Sequence, residues 1–112
     1  MNYNKYHATR IEIDGHKFPS KLEGREYLKL KKRLELGQIQ NLELQPKFLI
    51  QEGFKKNGKT YRKIEYVADF SYIENGKRII EDTKGRKTDV YEIKKKLFEY
   101  KYPELTIKEV YR

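Results

Sequence analysis

The sequence predicts an α/β (α+β) fold, a mixed β-sheet flanked by helices. Three observations carry that expectation. Turn pairs at Asp14-Gly15, Asn57-Gly58 and Asn75-Gly76 mark antiparallel hairpins, helical periodicity runs over 20–36 and 89–101, and the chain closes on a strand, a helix and a strand. The closing unit is expected to be parallel and right-handed, which makes the sheet mixed.

In chain order, a short hairpin surrounds Asp14-Gly15. A helix over 20–36 follows, opened by Ser20 and stopped by Gly37. Strands are expected near 46–54, over 61–73 and over 77–84. A second helix spans 89–101, and after a break at Pro103 a last strand covers 104–110. Ile64, Tyr66, Ala68, Phe70 and Tyr72 alternate along the long strand as an apolar stripe opposite Asp69. In the second helix Val90, Ile93, Lys94, Leu97 and Lys101 share a side, which puts Lys94 within an apolar stripe. Chain length allows one domain, 1–112, with residues 1–19 as an N-terminal hairpin arm and 20–110 as the core.

The hairpin at Asn75-Gly76 sets a register. A two-residue type I′ turn pairs Glu74 with Lys77, and paired numbers in an unbulged antiparallel ladder keep a constant sum, so Asp69 is expected opposite Asp82. Directly opposed side chains share a face with Cβ atoms roughly 5 Å apart, where like charges repel unless a cation intervenes. Lys84 projects on the face of Asp82, about 6 to 7 Å farther along, while Glu81 and Thr83 point the other way. The alternative is that both acids sit on a solvated face, with the apolar stripe behind them as the core.

A third acid comes from the first helix. Glu23, Tyr27, Leu30 and Leu34 fall on one narrow stripe, so a carboxylate heads an apolar face. Ser20 and Glu23 also match a capping box, in which Glu23 would reach back to the Ser20 amide. The two roles can coexist through different oxygens.

Glu23 on a first helix, Asp69 within a hairpin and Asp82-Thr83-Lys84 on its second strand resemble the PD-(D/E)XK nuclease pattern. The helix entry Phe18-Pro19-Ser20-Lys21-Leu22-Glu23 and the later Leu44-Gln45-Pro46 resemble small phage-encoded members, related in fold to archaeal Holliday junction resolvases. The resemblance covers roughly Gly15 to Val110, and it departs from the name-giving motif at Ala68, where that motif has proline. It implies a restriction-endonuclease-like αβββαβ core. It further implies Asp69 and Asp82 as metal ligands, Glu23 as a ligand directly or through water, and Lys84 as the catalytic lysine. Hard carboxylate oxygens suit Mg²⁺ (or Mn²⁺), which would orient a water for attack on a DNA phosphodiester.

Composition agrees with a nucleic-acid partner. The chain carries 26 Lys and Arg against 17 Asp and Glu, a net charge of +9 and a pI near 9.6, which reads as a phosphate-seeking surface. Lys55, Lys56 and Lys59 flank Asn57-Gly58 and are expected to protrude as a basic finger. Lys84-Gly85-Arg86-Lys87 links the catalytic strand to the second helix, where glycine would let backbone approach a phosphate. Lys94 is either an accessory site residue or a snorkelling stem. The ten tyrosines are expected to serve the core and sheet, and His7 and His16 have no zinc spacing and are expected at the surface.

There is no cysteine, which removes disulfides, thiol nucleophiles and zinc-thiolate sites. Residues 1–10 are polar and basic and no apolar run approaches membrane-spanning length, so a cytoplasmic protein is expected, in host cytoplasm if phage-encoded. The hydrophobic fraction is 37%, low enough that an oligomer interface would supplement the core. Symmetric cutting of a junction would call for a homodimer. Two other functions are open at this point: a noncatalytic DNA-binding module, and a phage protein whose basic surface binds an acidic host partner.

Overall fold

A computed structural model describes residues 10–84 and 86–111. Residues 1–9, which include His7, and Gly85 of the expected phosphate-approach loop lie outside the described residues. The elements are β1 (Ile11–Ile13), β2 (His16–Phe18), α1 (Lys21–Glu35), β3 (Gln40–Leu44), β4 (Lys47–Gln51), β5 (Phe54–Lys56), β6 (Lys59–Tyr61), β7 (Ile64–Val67), β8 (Phe70–Glu74), β9 (Lys77–Lys84), α2 (Asp89–Lys101) and β10 (Ile107–Tyr111).

Local chemistry explains the helix boundaries. Ser20 Oγ accepts the Glu23 amide at 3.1 Å and Thr88 Oγ1 accepts the Tyr91 amide at 3.1 Å, so each helix starts with a satisfied N-terminal donor. Lys32 and Arg33 in the last turn of α1 match the helix dipole. Gly24 has a packing role. A Cβ there would meet Ile11 Cδ1 at 2.2 Å, so any other residue would force the Ile11 side chain to shift from its place against α1.

The main sheet has strand order β10-β9-β8-β3, with β10 parallel to β9 and the other pairs antiparallel. It is the mixed sheet flanked by helices that the sequence predicts. Among its strands and the two helices, the chain order is α1, β3, β8, β9, α2, β10. Adjacent residues of β9 show where the helices lie: Ile79 packs against the cluster that holds Tyr27 and Leu30 of α1, and Ile80 belongs to the cluster with Tyr91 and Phe98 of α2, so the helices cover opposite faces. No helix among the described residues is long and apolar enough to cross a membrane.

The remaining strands form one long ribbon. Leu44 pairs with Phe70, the Gln45 amide bonds the Asp69 carbonyl at 2.9 Å, the Ala68 amide bonds the Pro46 carbonyl at 3.1 Å, and Lys47 pairs with Val67. Pairing therefore passes without interruption from the sheet into β4 and β7. After a shift between Leu49 and Gln51, Gln51↔Ile64 and Phe54↔Tyr61 share one register out to the turn at Asn57-Gly58. Both turn residues have positive φ, 51° and 74°, as a type I′ turn requires. The ribbon kinks where Gln45 takes a φ of +52° opposite Asp69.

Several sequence expectations are corrected here. The strand over 61–73 is broken at 62–63 and 68–69, because the ribbon leaves the sheet there. Its alternating stripe consequently divides: Tyr66 and Ala68 join the α2 core, Phe70 and Tyr72 the α1 core, and Ile64 is exposed. The strand near 46–54 is β4 followed by β5, and the sheet strand before it, β3, was not expected. Finally, the side of α2 bearing Val90, Ile93 and Leu97 faces outward at 63%, 59% and 41% exposure, while Tyr91 and Phe98 are buried. The last strand begins at Ile107 rather than 104, since residues 102–106 form the turn after α2.

Candidate active site

The β8–β9 ladder keeps the expected register from Glu74↔Lys77 to Phe70↔Glu81. At the next step it changes: the Asp69 amide bonds the Glu81 carbonyl at 3.2 Å, although Glu81 is already the ladder partner of Phe70. Asp69 is thus not the ladder partner of Asp82; it sits on the kink as a bulged residue. Its carboxylate turns toward Thr83, whose amide and hydroxyl both donate to Oδ2, at 2.7 and 2.8 Å. One carboxylate oxygen is held and the other is left for the site.

Asp82 is buried, with Lys84 Nζ 3.0 Å from its Oδ1 and the Tyr66 hydroxyl donating to its Oδ2. Lys84 in turn lies 3.7 Å from the centre of the Tyr91 ring, a cation–π contact that fixes the ammonium over the site. Glu23 comes in from the first turn of α1. It is 3% exposed, it lies beside Asp69 with Asp82 and Lys84 within electrostatic reach, and its Oε2 has no hydrogen-bond partner. The expected capping box is therefore formed from its Ser20 half, with the Glu23 carboxyl turned to the sheet.

Electrostatics records the crowding. Burial first, and then the Asp69 and Asp82 charges, push Glu23 up to about 8. Burial and Asp69 push Asp82 up to about 6, against the opposing pull of Tyr66 and Lys84. Raised acids in a cluster are a mark of functional sites as well as of structural strain. Among the described residues no three His, Asp or Glu side chains are drawn together closely enough to enclose an ion by themselves.

The donor set still suits a hard divalent cation. All three acids offer carboxylate oxygen, a buried oxygen of Glu23 is unpartnered, and the protonation that crowding favours is what a cation would replace. Mg²⁺ in particular keeps several waters and needs few protein ligands.

Sequence reasoning missed several residues. Tyr66 was assigned to the face away from Asp69, since the break at 68–69 has no turn signature. Tyr91 read as half-buried filler, yet its hydroxyl bonds Glu109 at 2.6 Å while its ring supports Lys84. A further acid pair lies just behind the site: Glu81 is fully buried, accepts the Tyr72 hydroxyl at 2.7 Å, and is pushed up to about 8 by burial and by Glu26. The i, i+3 spacing of Glu23 and Glu26 was the available signal for that pair.

The residues expected to contact DNA lie in three places, the β5–β6 hairpin, the segment after β9 and α2. Lys55, Lys56 and Lys59 are exposed on the β5–β6 hairpin at the ribbon tip. Arg86 is exposed beside β9. Lys87 is paired with Glu109 at 3.1 Å, as is Lys95 at 3.4 Å, and against the push of burial Tyr91, Tyr111 and these lysines hold Glu109 down to about 2. Lys94 is half-buried on α2 near the core side. His16 is exposed, as expected.

The model of the family described as Protein of unknown function (DUF1064) matches residues 3–112, and the chain belongs to that family. No curated protein and no solved structure matches it.

Proposed function

We propose that this DUF1064 chain is a divalent-metal-dependent endonuclease that hydrolyses DNA phosphodiester bonds, of the PD-(D/E)XK type and directed at branched or recombination intermediates. The observation that carries the reading is the meeting of Glu23, Asp69, Asp82 and Lys84 from a helix, a ribbon kink and a strand, with a buried carboxylate oxygen left unpartnered.

In this reading Asp69 and Asp82 hold Mg²⁺ or Mn²⁺, with Glu23 contributing directly or through water. The ion, when bound, supplies a polarised water and charge neutralisation at the phosphate. Thr83 orients Asp69 by fixing one of its oxygens, and Tyr66 does the same for Asp82. Lys84, steadied by Tyr91 and Asp82, offers its ammonium to the attacking water and to the negative charge that builds on the phosphate oxygens. Raised proton affinity at Glu23 and Asp82 means that both must lose protons before an ion binds, so activity rises with pH through about 6 to 8.

The test is cleavage of duplex, single-stranded, flap and four-way DNA by wild type and Asp82→Ala, with Mg²⁺, Mn²⁺ or chelator. The expected result is metal-dependent cutting that falls by roughly 10²-fold or more in Asp82→Ala, with DNA binding retained. A wild type that cuts no substrate with either metal would sink the assignment. The rival reading, a noncatalytic DNA-binding module, draws on the absence of a tight three-acid cage among the described residues; it predicts salt-sensitive DNA binding with no cutting. A protein that binds an acidic host partner instead would show no salt-sensitive DNA affinity.

A further inference from the structure

The ribbon that carries Asp69 at its kink continues well beyond the acid cluster. Ten residues lie between Asp69 and Gly58 at the tip, and at ~3.3 Å per residue the eleven steps span at most roughly 36 Å. The molecule is flat and wide, 53 × 48 × 23 Å, as such a projection requires. The exit of the ribbon is fixed by α2: Phe48 meets Phe98 edge-on at 5.0 Å, the Tyr102 hydroxyl bonds the Leu49 carbonyl at 2.8 Å, and Lys101 Nζ bonds the Ile50 carbonyl at 3.3 Å. Farther out the two strands stay closely paired, since a Cβ at Gly53 would meet the Tyr61 carbonyl at 2.9 Å.

The outer part of the ribbon is basic. Lys55, Lys56, Lys59 and Arg62 form no ion pair among the described residues, whereas Lys63 is paired with Glu65 at 3.6 Å. Every residue of β5 and β6 is exposed. The aromatic pair at the base of this finger is already engaged: Phe54 and Tyr61 stack on each other at 4.7 Å with planes 10° apart, and Lys59 covers Tyr61 at 5.0 Å. Single-strand binders present free aromatic faces to bases. This finger presents ammonium groups on a two-stranded ribbon, a shape that the major groove of duplex DNA admits.

We propose that the β5–β6 finger holds duplex DNA about one helical turn away from the phosphate at the acid cluster, through Lys55, Lys56, Lys59 and Arg62. The spacing follows because the ribbon's greatest reach matches one turn of B-DNA, about 34 to 36 Å. The inference rests on the nuclease reading for the identity of that phosphate. It adds a substrate requirement: double-stranded DNA extending at least a turn to one side of the cut.

Two measurements test it. Binding is followed in chelator, with duplexes of roughly 8 and roughly 20 base pairs and a single strand of the longer length, for wild type and Lys55→Ala/Lys56→Ala/Lys59→Ala. The variant is expected to bind the long duplex at least about tenfold more weakly, with a salt slope shallower by roughly 2 to 3. It should bind the short duplex as wild type does and keep the wild-type melting temperature. In the second measurement Thr60→Cys, the only thiol in a cysteine-free chain, carries a photocrosslinker, and crosslinks are expected roughly 10 base pairs from the cleaved phosphate. Wild-type affinity of the triple variant for the long duplex, an equal loss on single strands, or crosslinks beside the cut would each overturn the finger's role. Lysine-dependent binding of the long duplex without any cleavage would overturn the nuclease reading and uphold the duplex contact. Cleavage with lysine-independent binding would overturn the finger alone.

Discussion

The two faces of the central sheet are filled with different chemistry. Against α2 lies an aromatic core, Phe48, Tyr66, Tyr91 and Phe98 with Tyr102 at its rim, in tilted and edge-on contacts. Against α1 the apolar residues Phe18, Tyr27, Leu30, Ile39, Phe70 and Tyr72 share their layer with the buried acids Glu23, Glu26 and Glu81. Buried carboxyls oppose folding unless paired, so the α2 layer supplies cohesion and the α1 layer spends some of it on acids. The dry layer also grips the root of the ribbon, which ties the finger's placement to the more robust half of the fold.

The largest effect is expected on the dry face. Phe98, fully buried among Phe48, Tyr66 and Tyr102, should cost roughly 3 to 5 kcal/mol when replaced by Ala, measured by urea unfolding. A loss below about 1 kcal/mol would mean that cohesion resides elsewhere. Such a variant should also loosen the ribbon.

An intermediate effect should come from the buried acids, Glu23 and Glu81 against α1 and Asp82, which accepts from Tyr66, on the α2 side. Glu23 and Glu81, raised to about 8, and Asp82, raised to about 6, bind their protons more tightly folded than unfolded. Their contribution to stability is therefore complete below the ordinary carboxylate range and is lost as pH rises through these values. The chain should melt lower at pH 8 than at pH 5 in chelator, and Mg²⁺ or Mn²⁺ should restore more of the loss at pH 8 than at pH 5. Glu81→Gln keeps the shape and can still accept from Tyr72. It should gain on the order of 1 kcal/mol at pH 8, about 4 °C or more in melting temperature, and flatten the pH dependence. An unchanged slope would show that Glu81 does not carry that part of the pH dependence.

The smallest effect is expected at the Tyr66 hydroxyl, which links the aromatic layer to Asp82. Tyr66→Phe removes a donor that lowers Asp82, so the acidic limb of the pH–rate profile should move to higher pH while the plateau rate changes by less than about tenfold. A fall in the plateau with no movement of the limb would assign Tyr66 a purely structural part.

How much of this was legible follows from where local chemistry is decisive. Asn57-Gly58 and Asn75-Gly76 specify their turns almost alone, and Ser20 and Thr88 open their helices with a single side-chain bond each. The register from Asn75-Gly76 held to Phe70↔Glu81. It failed at Asp69 because the kink depends on Gln45 across the ribbon, a left-handed residue with no glycine to announce it. β3 escaped notice because Asn41, also at positive φ, interrupts its alternation with a bulge. On α2, Val90, Ile93 and Leu97 outweighed an aromatic face interleaved with lysines. Glu26 and Glu81 were hidden by the ordinary expectation that acids face water.

The finger has one more consequence, for the chain when it stands alone. A two-stranded ribbon exposes two unpaired edges, each able to add a strand from another copy. Repulsion among Lys55, Lys56, Lys59 and Arg62 opposes that addition. The same charges thus guard against intermolecular sheet growth, and the guard is strongest at low salt and weakest wherever screening, or a bound polyanion, cancels it.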